Sequence, residues 1–226
     1  MKKTGIYLFL LLATIVVSCV DDDSNTSPSG LIYSYFPTNV GHEVVYDATL
    51  ITKEDFGGAQ DTDIYQVKQV IESIFMDNQG RPTQRLERYR RNTPNDPWII
   101  SDVWTSTMTS ARVEQVEENI PYIKLVFPIN STITWNGNSL NTLDPQDYEY
   151  DDLHQADVIG GIAFDSTLTV FQSDFIDIFN TYYQIEKYAP GVGLIYKEDI
   201  YIETNYPLPG IKSQRLYTQT IVSWSN

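Results

Sequence analysis

Apolar and polar residues alternate with a period of two along much of this chain of 226 residues. Between residues 44 and 50, one side of an extended backbone carries Val44, Tyr46, Ala48 and Leu50. Residues 215–224 likewise bring together Leu216, Thr218, Thr220, Val222 and Trp224. Because the side chains of a β-strand point alternately to its two faces, this pattern predicts strands with one buried face.

Turn-forming residues separate these runs and are typical of short hairpin connections. The stretch from Tyr65 to Phe75 also fits a helical period, but the hairpin-like turn that follows it favours a strand. Strands joined by short turns pair antiparallel, and a long open sheet would leave its edges unprotected. We therefore predict an all-β fold, an antiparallel meander curled into a barrel, half-barrel or sandwich. The turn signals include Asn78-Gln79-Gly80, Asn136-Gly137-Asn138, Gly160-Gly161, Ala189-Pro190-Gly191 and Pro207-Leu208-Pro209-Gly210.

The first 18 residues are typical of an export signal. Lys2 and Lys3 precede a run of mostly apolar residues from Ile6 to Val17. This run matches the ~7–15 residues of a signal-peptide core and is shorter than the ~20 residues that span a bilayer as a helix. We therefore assign residues 1–18 to a helical signal peptide that is removed from the mature protein.

Cys19 ends a segment, Val16-Val17-Ser18-Cys19, that resembles a bacterial lipobox. The resemblance implies that Cys19 is lipidated and that acyl chains such as palmitate anchor the protein, since stable anchoring takes at least two signals. The acidic run Asp21-Asp22-Asp23 resembles the surface-export signal of Bacteroidota lipoproteins, although a solvated linker would look the same. We expect residues 19–30 to form an acidic flexible tether and residues 31–226 to form a single β-rich domain.

Two further segments resemble uncharacterised Bacteroidota lipoproteins. Residues 35–46, YFPTNVGHEVVY, are similar to an opening of the form Y-x-P-x-x-x-G-x-x-W-x-Y, with Val44 at the usual aromatic position. Residues 188–198, YAPGVGLIYKE, are similar to a late turn and strand of the form A-x-G-V-G-L-V. That family has no assigned activity. The resemblance implies a β-rich fold and a lipid-anchored protein of the outer membrane, on the cell surface or, alternatively, on the periplasmic face.

Composition and charge argue against several functions. The chain carries 30 acidic and 15 basic residues, so it would repel the phosphates of nucleic acid. One Cys and two His disfavour an intrachain disulfide and a metal site built on Cys or His. His42 and His154 stand in no catalytic motif, no G-x-S-x-G elbow is present, and Gly191-Val192-Gly193 lacks the third glycine of a dinucleotide site. We expect no enzymatic activity, no cofactor and no metal.

An acidic segment and an arginine cluster are the two charged features of the predicted domain. The segment from Asp144 to Asp157 holds six carboxylates, which could ligate calcium, but its spacing is not that of an EF-hand and a solvated loop has the same composition. Whether this segment binds calcium is left open by the sequence.

The arginine cluster contains five of the seven arginines of the chain, within residues 81–91. Guanidinium groups suit the carboxylate, sulfate or phosphate of an anionic ligand. The alternative, which we favour, is pairing with acids on the neighbouring strand, such as Glu72 and Asp77. The candidate anion-binding residues are Arg85, Arg88, Arg90 and Arg91.

These features predict a membrane-anchored envelope lipoprotein with a non-catalytic role in binding or envelope maintenance. Its ligand, which could be a protein, a glycan or an apolar molecule, is left open. One alternative is a carrier of an apolar ligand on a concave face lined by residues such as Phe127, Ile133, Leu194 and Ile200. A second is a secreted hydrolase with an unidentified pair of carboxylates. Aromatic residues that could stack on sugars are Tyr148, Tyr150, Tyr182, Tyr183 and Trp135.

Overall fold

The computed structural model describes residues 33–54 and 58–226. The predicted signal peptide, Cys19 and the tether lie outside these residues. Tyr33 and Ser34 are helical, and no helix of the described residues has the length and apolar character needed to cross a membrane. Twelve strands follow: β1 (Glu43–Lys53), β2 (Gln60–Met76), β3 (Pro82–Arg91), β4 (Ile99–Met108), β5 (Arg112–Glu117), β6 (Ile120–Val126), β7 (Thr134–Asn136), β8 (Asp147–Ile159), β9 (Ile162–Ile176), β10 (Asn180–Ala189), β11 (Gly193–Thr204) and β12 (Ile211–Ser225).

All twelve strands belong to one antiparallel sheet with the order β6-β5-β4-β3-β2-β1-β12-β11-β10-β9-β8-β7. Strands that are consecutive in the chain are neighbours, apart from β6 and β7, which form the two edges. These edges approach each other, since the Ile123 amide donates to the Gly137 carbonyl at 2.9 Å and the Trp135 indole donates to the Ile123 carbonyl at 3.0 Å. The sheet is therefore a nearly closed barrel. The predicted all-β meander is confirmed, and Tyr65–Phe75 lies within strand β2 as predicted.

Gly137 makes this seam possible. A Cβ atom at position 137 would lie 2.2 Å from the ring of Tyr148. Only glycine lets the aromatic ring lie directly on the backbone, where it also makes an edge contact with Trp135 at a centroid distance of 5.8 Å.

A plug formed by residues 35–42 fills one end of the barrel. Tyr35 is fully buried, and its hydroxyl lies 2.8 Å from both Nδ1 of His154 and Oγ of Ser166. The Gly191 amide donates to the carbonyl of Ser34, which ties the start of the plug to the β10–β11 turn. The apolar core packs around the plug in two clusters. Their largest fully buried members are Tyr35, Leu125, Leu168 and Tyr188 in one and Tyr46, Ile195 and Ile221 in the other.

β-Bulges decide which side chains face the barrel interior. In β6, Val113 and Glu114 of β5 pair with Leu125 and Ile123, so Lys124 is the extra residue. In β11, Ile195 is skipped in the same way. An extra residue in a strand shifts the inward and outward alternation of its side chains by one position. Lys124 therefore points inward.

Candidate ligand-binding cavity

A cavity of about 630 Å³ lies inside the barrel above the plug. The predicted inner face of β1 forms part of its wall, with Val44, Tyr46 and Leu50. Small-molecule sites typically enclose ~300–1,000 Å³, so the cavity is large enough for a ligand of that kind.

The two segments that carry the resemblance to lipoproteins meet at the floor of this cavity. Phe36, Pro37 and His42 from the first segment line the floor together with Val192 and Gly193 from the second. His42 is buried, and its Nε2 donates to the Val192 carbonyl at 3.0 Å. Gly193 has a φ of +86°, and a Cβ there would lie 3.1 Å from Cδ of Pro37, which explains the glycine. His42 is therefore a structural residue of the floor.

Four charged side chains form an ion network in the cavity wall: Lys124, Lys197, Glu117 and Glu186. Lys124 Nζ lies 2.5 Å from Glu186 and 3.2 Å from Glu117. Lys197 Nζ lies 3.2 Å from Glu186, its cross-strand neighbour, and 3.8 Å from Glu117. The Tyr188 hydroxyl donates to Glu186 at 2.6 Å. The side chains of Lys124 and Glu186 are only 6% and 1% exposed, so this network replaces the water that the charges would otherwise require.

The electrostatics of the ion network keep Glu117, Glu186 and Lys124 charged. Burial alone would raise the pKa of Glu186, but Lys124, Lys197 and the hydrogen bond from Tyr188 lower it to about 2. The same two lysines outweigh burial at Glu117 and lower its pKa. Burial alone would lower the pKa of Lys124, but Glu117 and Glu186 hold it above its ordinary value. Glu117, Glu186 and Lys124 are therefore ionised at neutral pH.

Sequence reasoning did not identify the ion network. Lys124 lies between Ile123 and Leu125, whose side chains are buried, and a lysine inside an apolar run is the one signal that pointed to it. Leu194, Tyr196, Ile200 and Ile202 share one face of a regular strand, and such a strand would place Lys197 on the opposite face. The bulge at Ile195 turns Lys197 toward the interior instead.

Glutamine side chains make much of the remaining wall polar. A glutamine amide offers both donors and acceptors, so such a wall matches ligand hydroxyl groups. Gln146 Nε2 donates to Gln184 at 2.6 Å, and Gln184 Nε2 donates to Asp199 at 2.9 Å. Gln172 is the extra residue of a bulge in β9, and its buried Nε2 has no partner within the described residues. The six glutamines are Gln69, Gln115, Gln146, Gln172, Gln184 and Gln219.

Two of the four candidate arginines form ion pairs. Arg85 Nη1 lies 3.2 Å from Glu72 on β2 and also contacts Glu87. Arg90 Nη2 lies 2.8 Å from Asp63. The contacts with Glu72 and Asp63 on β2 are cross-strand contacts of the kind that the pairing alternative requires, whereas Glu87 lies on β3 itself.

Arg91 and Arg88 have no carboxylate of the described residues within 4.0 Å. Arg91 Nε donates to Gln66 at 2.8 Å, and its guanidinium lies 4.2 Å from the centre of the Trp98 ring. Arg88 is the one of the four that lines the cavity. The structure therefore separates the cluster, and only Arg88 faces the candidate site.

The other sequence candidates are dispersed. Much of the acidic segment becomes strand β8, and the described residues contain no group of three or more His, Cys, Asp or Glu side chains that could hold a metal. Of the aromatic candidates, Tyr148 lines the cavity, while Tyr150 and Trp135 are packed in the core. Tyr182 is 36% exposed and its ring lies 6.0 Å from Phe175.

Comparison with known proteins finds similarity to two solved structures. One is a candidate lipoprotein from Parabacteroides distasonis, with a TM-score of 0.45 at 10% identity. The other is a candidate exported protein with a YmcC-like fold from Bacteroides fragilis, with a TM-score of 0.46 at 9% identity. Each similarity covers 84% of this chain and 98% of the other. No family model and no curated protein matches the chain.

The ion network predicts a strong coupling between Lys124 and Glu186. Lys124→Met leaves two buried carboxylates with one lysine, and we expect it to lower the free energy of unfolding by ~3–5 kcal/mol. Adding Glu186→Gln restores charge balance and should recover a large part of that loss, about 2 kcal/mol, although each change alone is destabilising. Urea denaturation at neutral pH measures both.

The matched control is Lys212→Met, because Lys212 pairs with Glu203 at 2.6 Å on the surface. An exposed pair contributes ~0–1 kcal/mol. If Lys124→Met cost no more than Lys212→Met, or if the two interior substitutions were simply additive, the network would not hold the interior as described.

Proposed function

We propose that this protein is a lipid-anchored envelope lipoprotein whose barrel binds a small, polar, hydroxyl-bearing ligand without altering it chemically. The observation that carries the proposal is the cavity of about 630 Å³, in whose wall glutamine, tyrosine and charged side chains lie among apolar residues such as Leu50, Ile71 and Leu86. A few polar groups that converge on a preformed cavity are typical of a ligand site.

An apolar ligand fits this cavity less well. Among the residues expected to line an apolar carrier, Leu194 is in the wall, but Phe127, Ile133 and Ile200 are not among the described lining residues. An apolar molecule would leave the amide nitrogen of Gln172 and most donors of Arg88 without partners, which is costly in a buried site.

A hydrolase is also less well supported. Glu117 and Glu186 are the carboxylates that come together in the interior, and a general acid of that kind would need a raised pKa to hold its proton. The lysines do the opposite and lower the pKa of both groups. This favours binding over catalysis.

Location is proposed from the sequence alone. The lipobox ending at Cys19 supports a membrane anchor, and the acidic run Asp21–Asp23 supports a position on the outer face of the outer membrane. In this arrangement the tether would hold the barrel beside the membrane, where it could capture its ligand.

Cys19→Ala tests the anchor. The substitution removes the thiol that accepts the lipid, so we expect the variant to leave the membrane fraction and appear in the soluble fraction after detergent-free lysis. Protease treatment of intact cells then reports whether the unsubstituted protein is on the surface. Membrane residence of the variant equal to that of the original protein would contradict the lipoprotein assignment.

A panel of neutral disaccharides with different linkages and hydroxyl configurations tests the cavity, with calorimetry as the measurement. We expect at least one member to bind. Leu50→Trp fills the space beside the cavity wall and should weaken that binding about tenfold or more. Ile64→Trp is the control, because Ile64 is 67% exposed on the outside of the barrel. No binding by any member or by its acidic derivative, or equal binding by the Leu50→Trp variant, would contradict the proposal.

A further inference from the structure

Arg88 differs from its neighbour Arg90 in two respects, because it lines the cavity and has no carboxylate partner. The two residues lie on the same face of β3, and each guanidinium stacks on an aromatic ring, Trp104 at 3.7 Å for Arg88 and Tyr65 at 3.8 Å for Arg90. Arg90 also binds Asp63 through two contacts of 2.8 and 2.9 Å. Arg88 has no carboxylate of the described residues within 4.0 Å.

The donors of Arg88 are largely unused. A guanidinium carries five N–H groups. Within the described residues, Arg88 makes one hydrogen bond, to Gln69 at a long 3.5 Å, and lies against the hydroxyl of Tyr217. Stacking on Trp104 fixes the plane of the group and leaves the edge with its N–H groups free.

The other cations of the cavity wall are already compensated. Lys124 and Lys197 belong to the ion network, and Arg215 lies 2.6 Å from Asp199. Glu118, the remaining acid of the wall, accepts a hydrogen bond from the Trp104 indole at 3.1 Å and is exposed at the β5–β6 turn. Arg88 is thus the cation of the described wall that has no carboxylate within 4.0 Å, and its charge reaches Glu117 only from a longer distance.

We infer that the ligand is an acidic sugar, a saccharide with a hexuronate unit, and that Arg88 binds its carboxylate while the glutamines of the wall bind its hydroxyl groups. This inference rests on the proposed function. The planar fork of Arg88 matches a carboxylate through two parallel hydrogen bonds, and the aromatic ring behind it holds the fork in place. The polar wall supplies the donors and acceptors that the rest of the sugar needs.

The test compares each neutral disaccharide of the panel with the disaccharide in which one hexose is oxidised to the hexuronate. We expect at least one acid to bind about tenfold or more tightly than its neutral parent, because a charge-assisted pair is stronger than a neutral hydrogen bond. Arg88→Gln should abolish this preference, so that the acid binds no more tightly than its neutral parent. Raising the salt concentration should reduce the preference, since charges that reach solvent are screened over ~10 Å at 0.1 M.

Arg90→Gln is the control, because Arg90 lies on the same strand and face and also stacks on an aromatic ring, but is outside the described cavity lining and already binds Asp63. It should keep the preference for the acid. Equal binding of acid and neutral parent would overturn the inference and leave the proposed function standing. Binding of neither class would overturn the proposed function itself, and loss of the preference in both arginine variants would overturn the assignment to Arg88.

Discussion

The ion pair between Lys124 and Glu186 is the interaction on which the interior of this barrel depends. It joins β6, at one edge of the sheet, to β10, which lies near the other edge. Glu117 on β5 and Lys197 on β11 extend the contact, so the network crosses the barrel between two sets of strands. The network therefore links opposite walls of the barrel through charged side chains. In an ordinary apolar core, close packing of apolar side chains would make this link.

This arrangement gives the barrel two different halves. Around the plug, tyrosine and aliphatic side chains such as Tyr35, Leu125 and Leu168 pack with almost no exposure. Above the plug, the buried charges keep the cavity open, because apolar groups packed onto them would remove their remaining solvation. Replacing a buried ion pair by well-packed apolar residues is often neutral or stabilising, so the network is better explained by a need for a polar interior than by stability.

The sequence predicted the architecture because alternation and turn residues are local signals. Val44, Tyr46 and Ala48 are buried as the pattern of β1 indicates. The pattern of β12 was misleading, since its buried residues are Gln214, Tyr217, Gln219 and Ile221, and Leu216 and Thr218 are only partly buried. Polar residues such as Gln219 are buried in this barrel because its interior is polar, and hydrophobic alternation cannot identify that face.

The candidate site was not predicted from the sequence, for a different reason. Lys124 and Lys197 face the cavity through bulges, which no residue type signals reliably. The partners of the arginines were partly predictable, since Glu72 and Asp77 lie beside Arg85 and Arg81 at 3.2 and 2.8 Å. The sequence could not show that Arg88 alone among the four candidates lines a cavity, because this depends on the curvature of the whole sheet.

The most direct test of a charged interior is the pH dependence of the free energy of unfolding, measured for the original protein and for Glu186→Gln. The pKa of Glu186 is lowered from 4.5 to about 2 in the folded state. Its ionisation therefore stabilises the fold above pH 4.5, and this contribution, ~3 kcal/mol, is lost as the pH falls toward 2. The difference in stability between the two proteins should shrink over that interval. A difference that stays constant from neutral pH down to pH 2.5 (about two units below the ordinary pKa of a glutamate) would contradict the account.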